Sequence, residues 1–201
     1  MTNKRRIYLL RHGIPSPDYK GSYDILPGPE LSEIGRKQAV EAAKWLNSKS
    51  IDLIYSSPFT RAYQTSEPIC KLLNLQLKIV VPLQEQNNKE TLSELKDRIT
   101  KWWNSESRHI SNKTLIIVSH GSPLNSFISI FDNDLSNYRT FGSGNLIPMG
   151  GIWELSQDSE KMTSKLIWLA PFLNDFGQPK FNIKINLEVG TGLDPNVAKL
   201  G

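Results

Sequence analysis

The chain has 201 residues, 38% of them hydrophobic, one cysteine and a formal charge of +4 at neutral pH. That length and apolar share suit one medium-sized domain with a substantial core, and exclude a disordered chain, a collagen-like repeat or a stapled mini-protein. Cys70 alone allows neither an intramolecular disulfide nor a four-cysteine zinc site, as expected of a protein built for a reducing compartment.

The one tight basic cluster, Lys4-Arg5-Arg6, precedes an apolar run from Ile7 to Leu10. That run is too short for a signal peptide or a membrane span, so a soluble cytoplasmic protein without a membrane partner is expected. Similar Ile, Val and Leu runs recur at Leu53 to Tyr55, Leu77 to Val81 and Leu115 to Val118, each followed by a segment of helical length. The alternation predicts an α/β fold, a mainly parallel sheet flanked by helices on both faces. Helical faces are read from Ala39, Val40, Ala43 and Leu46, from Ala62, Thr65, Ile69 and Leu72, from Leu92, Leu95, Ile99, Trp102 and Trp103, and from Leu124, Phe127, Ile128 and Phe131. Ser32 is placed as N-cap of the first, with Gly35 an unusual residue for a first helical turn.

Beyond Ser143 two strand-like runs, Gly151 to Leu155 and Lys165 to Ala170, form a hairpin or extend the sheet. A single catalytic domain over 1–201 is expected, with a core to about 170 and a short C-terminal extension over about 171–201. Between Ile14 and Glu30 four prolines and two glycines preclude regular structure, and a loop this long is expected to bind or to cover a site.

Ligands of a parallel sheet bind beyond the carboxyl ends of its strands. There the sequence places Arg11-His12-Gly13, Ser57 to Arg61, Gln84-Glu85 and Ser119-His120-Gly121. Ser57-Pro58 and Ser122-Pro123 each read as an N-cap followed by a first helical residue, so helix N-termini would face an anion. Arg61 is suited to grip phosphate oxygens, and Gly13 and Gly121 allow close backbone approach. Three histidines without HxH or HxxxH spacing predict no metal, and basic residues without interleaved aromatics predict no nucleic-acid partner. His109 has no partner pattern and is given no role.

RHG at Arg11 to Gly13, LSEIGRKQA from Leu31, SSPFTRAYQT from Ser56, LQE from Leu83 and VSHG from Val118 together resemble the histidine phosphatase superfamily, also called phosphoglycerate mutase-like. The match runs through roughly the first two-thirds of the chain, and the combination is far more specific than any one tripeptide. The resemblance implies a phosphatase-branch enzyme that needs no metal or cofactor and acts on a small phosphorylated metabolite. His12 would attack phosphorus, while Arg11, Arg61, His120 and Gly121 would hold the phosphoryl oxygens. Glu85 would protonate the leaving oxygen and later deprotonate water, with Glu90 as the alternative carboxylate. Ser22 matches a position near the substrate; Asp18, where members often carry Asn, is left out.

Two other readings stand beside this one. A phosphoglycerate mutase would return the phosphoryl group to a product, but the 35 positions from Glu85 to His120 leave little room for the insertion that mutases carry. A silent phosphate- or phosphoprotein-binding module would keep the fold without turnover. Tyr19, Tyr23 and Trp153 are available to line a pocket, and the segment from Pro171 could cover the cleft, close the sheet or pair with a second subunit as a homodimer.

Overall fold

Along a strand, side chains point alternately to opposite faces of the sheet. The first strand, β1 (Arg6–Arg11), accordingly sends Ile7 and Leu9 into one core and Tyr8 and Leu10 into another, with all four buried. The structure, a computed structural model, describes residues 6–110, 113–158, 161–170 and 188–189. After β1 come α1 (Glu33–Leu46), β2 (Leu53–Ser56), α2 (Thr60–Leu73), β3 (Leu77–Ile79), α3 (Leu92–Glu106), β4 (Leu115–Ser119) and α4 (Gly121–Ile128). Strands β5 (Ile152–Asp158), β6 (Lys161–Leu169) and β7 (Glu188–Val189) complete one sheet in the order β3-β2-β4-β1-β5-β6-β7.

Strands β3, β2, β4 and β1 run parallel, as expected of strands joined by helices. The later strands form the predicted hairpin and also extend the sheet, because β5 pairs antiparallel with both β1 and β6. Strand β4 repeats the alternation of β1. Leu115 and Ile117 pack with Leu95, Ile99, Trp103 and Phe127 of α3 and α4, whereas Ile116 and Val118 pack with Ala42, Leu46, Ala62 and Ile69 of α1 and α2. Helices therefore cover both faces, and each fully buried Leu or Ile contributes about 1.5–3 kcal/mol by leaving water. Among the described residues no helix is long and apolar enough to cross a membrane.

Several local expectations are corrected. Val40 and Leu72 are exposed, while Ala42 and Ser66 lie in the buried faces of α1 and α2. Strand β3 stops at Ile79 and a 3-10 turn, Val81–Leu83, follows, because Pro82 has no N–H to continue a ladder. Helix α2 begins at Thr60, with Phe59 rather than Ser57 in the capping position. Helix α4 begins at Gly121, so Pro123 is its third residue rather than its first; the first turn needs no N–H there. Trp153 is a core residue. It is buried in β5, donates from Nε1 to Ser164 Oγ at 2.9 Å and meets Tyr138 edge-on. The C-terminal extension lies outside the described residues apart from β7.

Candidate active site

Strand register assembles the site. Arg11 of β1 lies opposite Ser119 of β4, and His12 donates its backbone N–H to the Ser119 carbonyl at 3.0 Å. The two residues that follow the two strands, His12 and His120, thus face each other with ring centroids 5.1 Å apart. On the far side of β4, Ser57 donates its backbone N–H to the Val118 carbonyl at 3.0 Å, which sets its side chain beside His120. Arg61, the second residue of α2, reaches back into this cluster, and its guanidinium stacks 4.8 Å from the Phe59 ring centroid. Ser119 Oγ donates to the Leu83 carbonyl at 2.6 Å, anchoring the turn that carries Glu85.

Hydrogen bonding fixes the protons. His12 Nδ1 lies 2.8 Å from the Gly13 carbonyl, which can only accept, so Nδ1 carries the hydrogen. Its Nε2 then presents a lone pair, and Arg61 Nε donates to it at 3.2 Å. Ser57 Oγ receives the Phe59 N–H at 3.3 Å and lies 2.8 Å from His120 Nε2. A hydroxyl proton given to Nε2 leaves His120 Nδ1 as the N–H, and that buried atom has no hydrogen-bond partner among the described residues. Arg11 donates through Nη1 to the Ile147 carbonyl at 3.1 Å, while its Nε and Arg61 Nη1 are likewise buried and unpartnered. Buried donors are ordinarily satisfied, so three such donors point to an anionic ligand.

Burial, then the Arg61 and Arg11 charges, hold both imidazoles well below the usual histidine range. Burial likewise pushes Arg11 down to about 10. Glu85 is raised by burial against the opposing pull of the arginines; its Oε2 lies 3.4 Å from Arg61 Nη2 and 3.6 Å from His120 Nδ1. His12, Glu85 and His120 offer ligand atoms within 4.8 Å of one another, a spacing that a metal ion could use. The donor set argues otherwise: Arg61 already engages His12 Nε2, and two guanidiniums would oppose a cation but favour an anion.

The surroundings hold residues that sequence reasoning missed or misjudged. Gly35 sits in the first turn of α1 because a Cβ there would strike the Ile14 carbonyl, and a Cβ on Gly13 would come within 2.6 Å of the Gly35 oxygen. Gly121 is closed in by Asn145 Oδ1. Glu90 is drawn away from the histidines by Arg98, whose Nε and Nη2 lie 2.5 and 2.8 Å from its carboxylate. Ser22 is exposed, donates to Asp24 and lines a cavity together with Glu85, while Asp18 and His109 are exposed. The loop over 14–30 lies across the cluster: the Tyr23 carbonyl accepts from Arg61 Nη2 at 3.0 Å, and the Pro27 carbonyl accepts from the Thr60 N–H at 3.0 Å. Asn145 acts on a residue 24 positions away and Arg98 on a turn that precedes its own helix, so neither leaves a signal in a local motif.

Residues 7–90 match the profile of the histidine phosphatase superfamily (branch 1). The chain is 26% identical over 174 residues to phosphoserine phosphatase 1 of Hydrogenobacter thermophilus, covering 70% of this chain and 82% of that protein. It is 24% identical to the 2,3-bisphosphoglycerate-dependent phosphoglycerate mutase of Bartonella bacilliformis, covering 82% of this chain and 98% of the mutase. The fold is similar to that of mycobacterial glucosyl-3-phosphoglycerate phosphatase, with a TM-score of 0.64 at 20% identity over 81% of this chain and 96% of that one. Over residues 7–90, fewer than half of the 201, the sequence is thus similar to the histidine phosphatase superfamily, and the likeness of fold extends over 81% of the chain.

Proposed function

We propose that the protein hydrolyses phosphate monoesters of small metabolites through a phosphohistidine at His12. The observation that carries this reading is the His12 Nε2 lone pair, held ready by the Nδ1 bond to the Gly13 carbonyl amid Arg11, Arg61 and His120. A neutral imidazole is the nucleophilic form, and burial among cations keeps His12 neutral. In the first step Nε2 attacks phosphorus, the P–O ester bond breaks, and Glu85 gives its proton to the departing alkoxide. Its raised pKa favours the protonated form this step needs. In the second step water attacks phospho-His12, Glu85 takes the water proton, the N–P bond breaks and inorganic phosphate leaves. Arg11, Arg61, His120 Nδ1 and the N-terminus of α4 at Gly121 stabilise charge on the transferring group.

The test measures phosphate release from an aryl phosphate, in the presence of a chelator, by the wild type and His12→Ala. The expected result is chelator-resistant turnover, a fall of roughly 10³-fold or more on substitution, and an acid-labile phosphoryl adduct in the wild type alone. Phosphate bound without turnover would instead favour a binding module, and isomerisation of 3-phosphoglycerate faster than phosphate release would favour a mutase.

A further inference from the structure

Glu85 faces two ways. Its Oε2 meets the arginine and histidine cluster, while the residue also lines a cavity of about 590 Å³ with Tyr23, Asp24, Gln86, Asn88 and Glu90. An acid must touch the oxygen that it protonates, so an ester whose phosphoryl group sits at His12 places its alcohol portion in this cavity. The walls there are amides, hydroxyls and carboxylates, and among the described residues lining it none is a lysine or arginine. The two carboxylates beyond Glu85 are held differently. Glu90 is neutralised by Arg98. Asp24 is held by neutral donors, the Ser22 hydroxyl and the Asn88 N–H at 3.0 Å, and these bonds keep its pKa below the usual carboxylate range. The fixed charge that Asp24 brings to this cavity is therefore negative, opposite to that of the arginine cluster that Glu85 also meets.

We infer that Asp24 and the amide-lined cavity select phosphate esters whose alcohol portion carries hydroxyls or an amine, and select against those carrying a carboxylate. The inference rests on the hydrolytic reading above. A leaving-group carboxylate would confront Asp24, whereas hydroxyls meet the side-chain amides of Gln86 and Asn88 and an ammonium meets Asp24 itself.

Two ester pairs isolate the carboxylate: phosphoethanolamine against phosphoserine, and glycerol 1-phosphate against 3-phosphoglycerate. The assay compares kcat/KM within each pair for the wild type and Asp24→Asn, with an aryl phosphate run in parallel. Because a ratio is read, any general loss of folded protein in the variant cancels. One like-charge contact at a half-exposed site corresponds to roughly a five- to tenfold preference for the carboxylate-free member, shrinking several-fold in Asp24→Asn. Equal or reversed ratios in the wild type overturn the inference, as does a ratio that Asp24→Asn leaves unmoved. Turnover of the aryl phosphate but none of the four esters also overturns it. Failure with the aryl phosphate as well overturns the hydrolytic reading, and this inference with it.

Discussion

Replacing Arg98 by methionine removes the side chain that pins the turn bearing Glu85. Besides gripping Glu90, Arg98 donates through Nη2 to the carbonyls of Gln84 at 3.1 Å and Glu85 at 3.4 Å, and through Nη1 to that of Pro82. The Arg98 and Glu90 side chains are 20% and 11% exposed, so the pair is neither a surface bridge nor a fully buried one. Removing one partner of a fully buried pair costs about 3–5 kcal/mol; discounted for the residual solvent here, the loss is about 2–3 kcal/mol. For a domain of this size that lowers Tm by roughly 5–10 °C. Most of the cost lies in leaving Glu90 charged and unpaired, so Arg98→Met with Glu90→Gln should recover about 1–2 kcal/mol of it. Thermal unfolding of the four proteins in this cycle, with turnover of an aryl phosphate, is the assay. Glu90→Gln should keep turnover within about threefold, while Glu85→Gln should lose roughly 10²–10⁴-fold, the usual contribution of a general acid. Strict additivity in the cycle would refute the coupling. A loss for Glu90→Gln larger than that for Glu85→Gln would refute the assignment of Glu85 as the acid and return Glu90 to that role.

The pH dependence has a definite sign. His12 and His120 have folded pKa values below the unfolded value of about 6.5, so the unfolded state takes up protons first and stability falls as pH drops below about 6.5, by at most ~2.7 kcal/mol per unit for the pair. Glu85, raised in the folded state, opposes this between about 4.5 and its folded value; unfolding stability that stays flat from pH 6.5 to 5 would contradict the buried, neutral pair. The rate should rise as His12 loses its proton well below the usual histidine range and fall as Glu85 ionises above the usual carboxylate range; Glu85→Gln should erase the upper limb of a kcat/KM profile corrected for ester ionisation. Gly35→Ala, which drives a methyl into the Ile14 carbonyl, should destabilise by about 1–3 kcal/mol in denaturant titration, and a neutral result would mean that the two backbones can part freely. Ser57→Ala should leave His120 free to exchange tautomers, visible in its ring ¹⁵N shifts together with reduced kcat, and an unchanged Nδ1–H signature would remove Ser57 from that role.

The sheet was legible in the sequence because its signal is local. Apolar runs of strand length alternate with helical ones, and the polar residues after four of those runs, including Arg11, His12, Glu85 and His120, meet in space. Features set by a distant partner were not. Ser57 reads as a cap until the register of β2 on β4 turns it to His120. Gly35 looks out of place until the Ile14 backbone lies against it, and Trp153 looks like a pocket aromatic until β5 becomes an inner strand beside β1. Glu85 and Glu90 look interchangeable by composition. Arg98, eight residues beyond Glu90 and inside α3, distinguishes them.

The pairing of Arg11 with Ser119 also bears on when the site comes into being during synthesis. More than a hundred residues separate the two histidines, and they meet only through neighbouring strands in the middle of the sheet. A nascent chain therefore holds no complete phosphate cradle until β4 has left the ribosome and docked against β1. Once docked, the cradle spans two buried central strands, the kind of element that opens with global unfolding. Inorganic phosphate bound there should oppose global unfolding rather than local fraying, so amide exchange in β1 and β4 should slow with added phosphate while that of loop 14–30 responds far less.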